Sequence, residues 1–256
     1  MARSQCIFAY NNLFLAGTLA ASTEDADFPK ENAVDWLTYD MWKTTAATSH
    51  TLEVDIGVST PADCAFIYGH NLPSLSGSVK VQYWNGSTWV DASTATTPTD
   101  TNVIAIVFTE VSATKWRLLF TTSSGALEIV EAMIAKALEM PVGVWDNFSP
   151  PLLARDTEIM SNETDTGQFK GRSIIRYGFE TMFDFMALPM DWVRTYWLPF
   201  VKHAEQKPFF GLWSANNYPA EAAYMWTDGK IEKPKNTHKA LMSAGLKVRG
   251  KLGNDA

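Results

Sequence analysis

The chain is short of charge, of cysteine and of long apolar runs, and each shortage removes a class of function. Only 19% of its 256 residues are charged, against the usual quarter, and acidic residues outnumber basic ones to give a net charge of -7. A surface that binds duplex nucleic acid needs clustered Lys and Arg to neutralise phosphates. Here the basic residues are scattered, with a modest excess only near the end (Lys230, Lys233, Lys235, Lys239, Lys247, Arg249, Lys251) that reads as a solvated tail. Nucleic-acid recognition is therefore not expected. The two cysteines, Cys6 and Cys64, lie far apart and read as free buried thiols, and no Cys/His spacing suits zinc. No stretch reaches the length of a membrane-spanning helix, so membrane insertion is not expected either. The first residues, "MARSQCIFAYNNLFLAGTLAAS", loosely imitate a signal peptide. Asn11 and Asn12 break the apolar run, and a first strand followed by a turn is the better expectation.

Catalytic patterns are also missing. His50, His70, His203 and His238 have no neighbouring His or carboxylate at ligand spacing. There is no nucleophile elbow, phosphate-binding loop or dinucleotide glycine pattern. Asp35, Asp40, Asp55 and Asp63 are the carboxylates a hydrolase would have to pair. No catalytic residue, metal ligand or cofactor is expected.

What is present is strand patterning, 46% hydrophobic residues and many short polar turns. "HTLEVDIG" alternates Leu52, Val54 and Ile56 with Glu53 and Asp55, a half-buried strand ended by Gly57. "ADCAFIYGHNL" reads as a second, more buried strand. In "GSVKVQYWNGSTWVDA", Val79, Val81 and Tyr83 share a face, Asn85-Gly86 supplies a turn, and Trp89 follows on the return. "TNVIAIVF" and "TKWRLLFT" read as two further strands. "ALEIVEAMIAKAL" has helix-forming composition, yet Leu127, Ile129 and Glu131 alternate, which favours a strand for its first part. Pro141, Pro150 and Pro151 then mark a joint. Beyond it Ile175, Tyr177 and Phe179 alternate along a long strand. Trp192, Tyr196 and Phe200 fall four apart on a helix that Pro199 is expected to kink or split. "KPFFGLW" returns to strands, with turns at Asn216-Asn217 and Asp228-Gly229. The expected fold is mainly β: an N-terminal jelly-roll β-sandwich over residues 1–140, a proline-bearing linker over 141–155, and a second β-rich domain with one packed helix over 156–256.

Four tryptophans are candidates for a sugar platform: Trp36, Trp42, Trp84 and Trp89. An indole face stacks on the C–H groups of a sugar ring, while nearby polar groups take the hydroxyls. "NAVDWLTYDMWKT" carries two of them with Asp35 and Asp40; the competing reading is that Trp36 and Trp42 only pack the sandwich edge and floor.

Five pieces in order give the first half a family likeness. "FPKENAVDWLTYDMWKT" has Asn32, Ala33 and Asp35 in place, with Trp36 where glycine is usual and Trp42 at the tryptophan position. "HTLEVDIG" has Val54, Asp55, Ile56 and Gly57 in register. Trp89 closes the hairpin, Arg117 and Leu118 mark the next strand, and Glu131 sits in the closing strand. Residues 20 to 138 thus resemble the discoidin or coagulation-factor C-type domain, a galactose-binding-like jelly roll. That resemblance implies binding of glycans or lipids through loops at one end, often beside a structural calcium. The Asn32–Met41 loop is the part most like the calcium loop, and Trp36 in place of glycine argues against the tight carbonyl-lined turn that calcium needs. The second half, with "GRSIIRYGFE", Trp192, Phe200, His203, Pro208 and Phe209, is similar to tail tube, distal tail and hub proteins of tailed bacteriophages. That likeness implies a virion location, ring or tube assembly with itself and other virion proteins, and assembly contacts at Tyr177, Phe179, Trp192, Trp197 and Phe209. Three functions follow in order of expectation: a tail or baseplate structural protein touching host-surface glycan, a carbohydrate-binding module, and a glycoside hydrolase or esterase.

Overall fold

The computed structural model describes residues 5–123, 125–146 and 148–253. Among these residues it is mainly β, with two sheets, one packed helical region and three short 3-10 turns. The first sheet is built on two long strands, Ser49–His70 and Ile104–Thr121, that pair antiparallel along most of their length. Each combines two of the strands expected from sequence. Gly57 does not end the first one: it takes φ 73°, the ladder shifts register between Asp55 and Thr60, and pairing resumes. A left-handed glycine inside a ladder bends the ribbon rather than cutting it. Ser78–Trp84, Trp89–Asp91, Glu128–Ala135 and Trp42–Lys43 complete the ordered path, with Thr18–Ala21 paired beside it on Ser49–His70. The folded ribbon encloses a core around Trp42, Leu52, Val54, Trp116, Leu118 and Phe120.

Glu128–Ala135 is a strand, not a helix, and nearly every residue in it is buried. The reason is that both its faces are covered. Ile129 and Ile134 enter the first core, whereas Val130, Met133 and Ala135 face the second sheet.

The second sheet orders Arg155–Glu163, Phe169–Pro189, Leu241–Lys251, Ala222–Thr227, Phe209–Leu212, Ile7–Ala9 and Leu138–Glu139. Ile7–Ala9 lies inside this sheet, between Phe210–Leu212 and Leu138–Glu139, although residues 1–140 are expected in the first body. Alternation then divides its side chains: Ile7 and Ala9 face the first sheet, and Phe8 faces the helix. The strand Arg155–Glu163 falls where the linker was expected to end. The linker itself is pinned: Phe148 packs 4.8 Å from Phe183, and Thr181 donates a hydrogen bond to the Ser149 carbonyl at 2.6 Å.

The helical region runs through Met190–Trp192, Val193–Trp197 and Leu198–Ala204 without a break, its middle part wound as a π-helix. Pro199 neither splits nor ends it. Proline lacks the N–H for an interior helical bond, and a wider π turn on its N-terminal side accommodates the ring. The helix lays Val193, Trp197 and Phe200 on the far face of the second sheet, against Phe8, Phe183, Phe185 and Phe209.

The near face of that sheet packs on the first. Phe66 stacks on Phe210 at 5.2 Å and 17°, and Tyr68 on Tyr224 at 5.2 Å and 10°. The two bodies therefore share a buried aromatic seam.

Candidate functional site

The "NAVDWLTYDMWKT" stretch divides into a floor and a rim. Trp42 is 0% exposed, packs on Phe120 at 6.3 Å, and donates from Nε1 to the Thr23 carbonyl. A buried indole offers no face to a sugar, so Trp42 is corrected to core. Trp36 is only half-buried and stands where the seam opens to solvent.

Its backbone adopts φ 72°, the left-handed region that glycine favours. The turn expected to need glycine is made anyway, with tryptophan in it. Two bonds hold the conformation: Trp36 N–H donates to Glu131 Oε2 at 2.9 Å, and the Tyr224 hydroxyl donates to the Trp36 carbonyl at 2.9 Å. The first bond ties the loop to the first sheet, the second to the other.

The side chain helps wall a cleft of about 270 Å³, lined also by Tyr10, Asn11, Leu15, His203 and Lys207. The His203 ring meets the Trp36 ring edge-on at 5.2 Å and the Tyr10 ring at 5.3 Å. The Lys207 ammonium lies 5.8 Å from the Trp36 ring centre. His203 Nε2 is 2.9 Å from the Pro208 carbonyl. A carbonyl can only accept, so the ring carries its proton on Nε2 and leaves Nδ1 as an acceptor. Burial holds the His203 pKa below the usual histidine value, aided by Lys207 and opposed by the Pro208 bond. Two aromatic walls, an acceptor, an amide and an ammonium thus converge on one opening.

Three carboxylates act on one another here, Asp35 and Asp40 of the loop and Glu131 of the strand Glu128–Ala135. Glu131 is fully buried, its Oε1 has no hydrogen-bond partner, and the same holds for Asp40 Oδ1. Burial pushes the Glu131 carboxyl well above the usual range; the Trp36 N–H opposes this, and Asp35 and Asp40 add to it. Asp35 is raised by burial too, with Asp40 contributing. Among the described residues, no cation is among the groups acting on Glu131. Among the described residues, no three His, Cys, Asp or Glu side chains gather into a group that would hold a metal unaided. Two carboxylate oxygens, Glu131 Oε1 and Asp40 Oδ1, have no hydrogen-bond partner and are the atoms that would be offered to the calcium implied by the loop. Such an ion would neutralise the carboxylates and stiffen the turn that carries Trp36. The tight turn that Trp36 was expected to oppose forms with tryptophan in it, through a left-handed backbone.

The other candidates lie elsewhere. Trp84 meets Trp89 edge-on at 5.5 Å across the hairpin. Trp89 is covered by the Arg117 guanidinium at 4.2 Å, which donates to Gln82, which donates to Asp91. This ladder ties three strands together, and Trp84 is not among the residues lining the cleft. Asp55 pairs with Lys115 at 2.7 Å, and Asp63 with Lys136 at 2.6 Å, so neither is a free acid or base. Of the residues expected at assembly contacts, Phe179, Trp197 and Phe209 are at most 1% exposed and belong to the chain's own core, which corrects them. Trp192 and Tyr177 are half-buried. Tyr10, His203 and Lys207 were not singled out as ligand residues. The aromatic Tyr10 before Asn11-Asn12 was the only local signal, because the cleft forms only when residues 10, 36 and 203 meet.

No family model matches the chain, and no curated protein matches it. Solved structures do. A chitosan-binding module of a chitosanase/glucanase from Paenibacillus sp. IK-5 is 21% identical, covering 49% of this chain and 98% of the module, with a TM-score of 0.42. A family 32 carbohydrate-binding module of C. perfringens NanJ, solved with galactose, is 18% identical over 50% of this chain and 98% of its own, with a TM-score of 0.41. A Ruminococcus gnavus fucosidase is 20% identical over 50% of this chain and 27% of its own length, with a TM-score of 0.43. The matched half is similar to a small β-sandwich of the carbohydrate-binding-module kind. These are sugar-binding modules and a glycosidase, not virion proteins, and the expectation of a phage tail or baseplate component is corrected on that finding.

Proposed function

We propose that the chain is a carbohydrate-binding protein that takes its ligand in the cleft at the mouth of the seam. The observation that carries this reading is the convergence of Trp36, Tyr10, Asn11, His203 and Lys207 around one open cavity of about 270 Å³. Sugar recognition asks for an aromatic face to cover ring C–H groups and a few fixed donors and acceptors for the hydroxyls. Trp36 supplies the face. His203 Nδ1 accepts, Lys207 donates, and Asn11 does both.

The test is calorimetric titration of the full chain with galactose and chitotriose. Trp36→Gly is the informative variant, because glycine keeps the φ 72° turn and both backbone bonds while deleting the indole. Loss of at least about tenfold in affinity is expected, the scale of one aromatic contact. Unchanged affinity in a folded Trp36→Gly protein would remove the cleft from the account.

A further inference from the structure

Away from the cleft, Trp145 is 54% exposed and lines two cavities at once. One has a volume of about 260 Å³ and the other about 450 Å³. An exposed indole between two hollows is unusual for a segment otherwise pinned to its sheet. The Trp145 N–H donates to the Asp184 carbonyl at 2.8 Å, which fixes the residue beside the strand Phe169–Pro189.

The smaller hollow is built around a carboxylate. Asp184 pairs across the ladder with Gly245, and a Cβ at position 245 would lie 2.5 Å from Asp184 Oδ1. Glycine therefore leaves the space into which the carboxylate leans. Asp184 is partly withdrawn from water; that burial raises its pKa, and Glu232 on the opposite wall adds to the rise. Lys233 and Ser243 bring donors to the same wall set, and Lys235 neutralises Glu232 at 3.3 Å. The lining thus mixes donors and acceptors without a strong excess of either charge, which suits hydroxyl groups better than a phosphate or a metal ion.

The larger hollow repeats the chemistry on the other side of Trp145. Trp213 forms part of its wall and stacks on Tyr218 at 4.9 Å and 18°. Its indole N–H is already committed to Glu221. Asn217 and Ser214 line the wall, and Gln5 brings a buried Oε1 that has no partner. An amide oxygen left unpaired next to an open hollow is an acceptor waiting for a donor.

We propose that Trp145 is the central platform of a second saccharide-binding groove, on the second sheet, that takes a neutral oligosaccharide rather than a single sugar. One ring lies on the indole, and its neighbours reach Asp184 on one side and Gln5 on the other. This inference rests on the carbohydrate reading above and adds a site to it. Two separated sites on one chain would also let a polymeric glycan engage both, with a gain in avidity beyond either affinity.

The experiment is calorimetric titration of the full chain with galactose, chitotriose and cellotriose, using wild type, Trp36→Gly, Trp145→Ala and Asp184→Asn. The exposed position of Trp145 keeps the fold safe, which a thermal melt verifies. Two binding events for a trisaccharide in wild type are expected. Trp145→Ala should remove one and Trp36→Gly the other. Asp184→Asn should weaken the groove event at least about fivefold and flatten its pH dependence, a readout that a purely structural role would not move. A Trp145→Ala protein that binds every sugar as wild type does overturns the groove and leaves the cleft standing. A trisaccharide event lost in Trp145→Ala and untouched in Trp36→Gly supports the groove and removes the cleft. Wild type that binds none of the three probes overturns both.

Discussion

Trp36 holds a left-handed backbone that costs a residue with a side chain about 1–2 kcal/mol. The Glu131 and Tyr224 hydrogen bonds offset that cost. Glu131 is the companion problem, a fully buried carboxyl whose folded pKa stands well above the unfolded value. The sign follows directly. The folded state binds the proton more tightly, so the stability from this group is complete below its unfolded pKa and is lost as pH rises through the folded one. Asp35 and Asp184 act in the same direction. Glu131→Gln should therefore be at least as stable as wild type at neutral pH, and should flatten the fall in stability by up to about 1.4 kcal/mol per pH unit. Chemical denaturation across pH 4 to 8 checks it, and an unchanged slope would show that Glu131 titrates normally. Calcium supplies a second readout: it should raise the melting midpoint of wild type and not of Glu131→Gln. His203 runs the other way. Its pKa is depressed, so the neutral ring that presents Nδ1 is lost as pH falls below the ordinary histidine range. Sugar affinity in the cleft should drop over that window, and an affinity that stays flat far below the ordinary histidine range would exclude Nδ1 as an acceptor.

Among the elements, alternation was legible wherever one face of a strand is wet. Val79, Val81 and Tyr83 appeared from their period, as did Leu52 and Val54. Glu128–Ala135 was ambiguous for a physical reason: with cores on both sides it is apolar at every position but Glu128 and Glu131, and composition alone then resembles a helix. The ribbon Ser49–His70 was misdivided at Gly57 because a bend and a chain break leave the same signature in sequence. Arg155–Glu163 was hidden because almost all of it is exposed, so it has no buried face to announce it. Strand contacts also fix some glycines. A Cβ at Gly250 would lie 2.3 Å from the Tyr224 carbonyl and 2.7 Å from the Phe179 ring. Neither backbone nor core ring can retreat cheaply, so Gly250→Ala should destabilise the protein by about 1–3 kcal/mol. Gly143 meets nothing within 4 Å and has no left-handed φ, so Gly143→Ala should be close to neutral. Thermal melts of the pair decide whether contact, rather than loss of glycine as such, sets the cost.

For the whole molecule, the fold class could be read from the chain, and the seam could not. Nothing in a local window says that Phe66 will stack on Phe210, or that residues 10, 36 and 203 will wall one cleft. Trp36 and Asp35 stand out in sequence as an aromatic and an acid in one polar loop, whereas Tyr10 and His203, which wall the cleft with Trp36, come from distant parts of the chain. The seam makes the two sheets one energetic unit. Phe210→Ala should cost about 3–5 kcal/mol, the range for a buried aromatic. Fluorescence and far-ultraviolet dichroism should report one shared transition for both sheets. Two resolved transitions in wild type would show that the seam couples the bodies weakly.

The position of Ile7–Ala9 has a consequence for synthesis. The ribosome makes this strand long before its ladder partner Phe210–Leu212. Leu138–Glu139 emerges between the two and offers only a two-residue edge in the meantime. The nascent chain must therefore keep Ile7 and Phe8 out of other pairings until Phe210–Leu212 has left the exit tunnel. The second sheet is completed only once Leu241–Lys251 has been made, while the first has its strands in hand by Ala135.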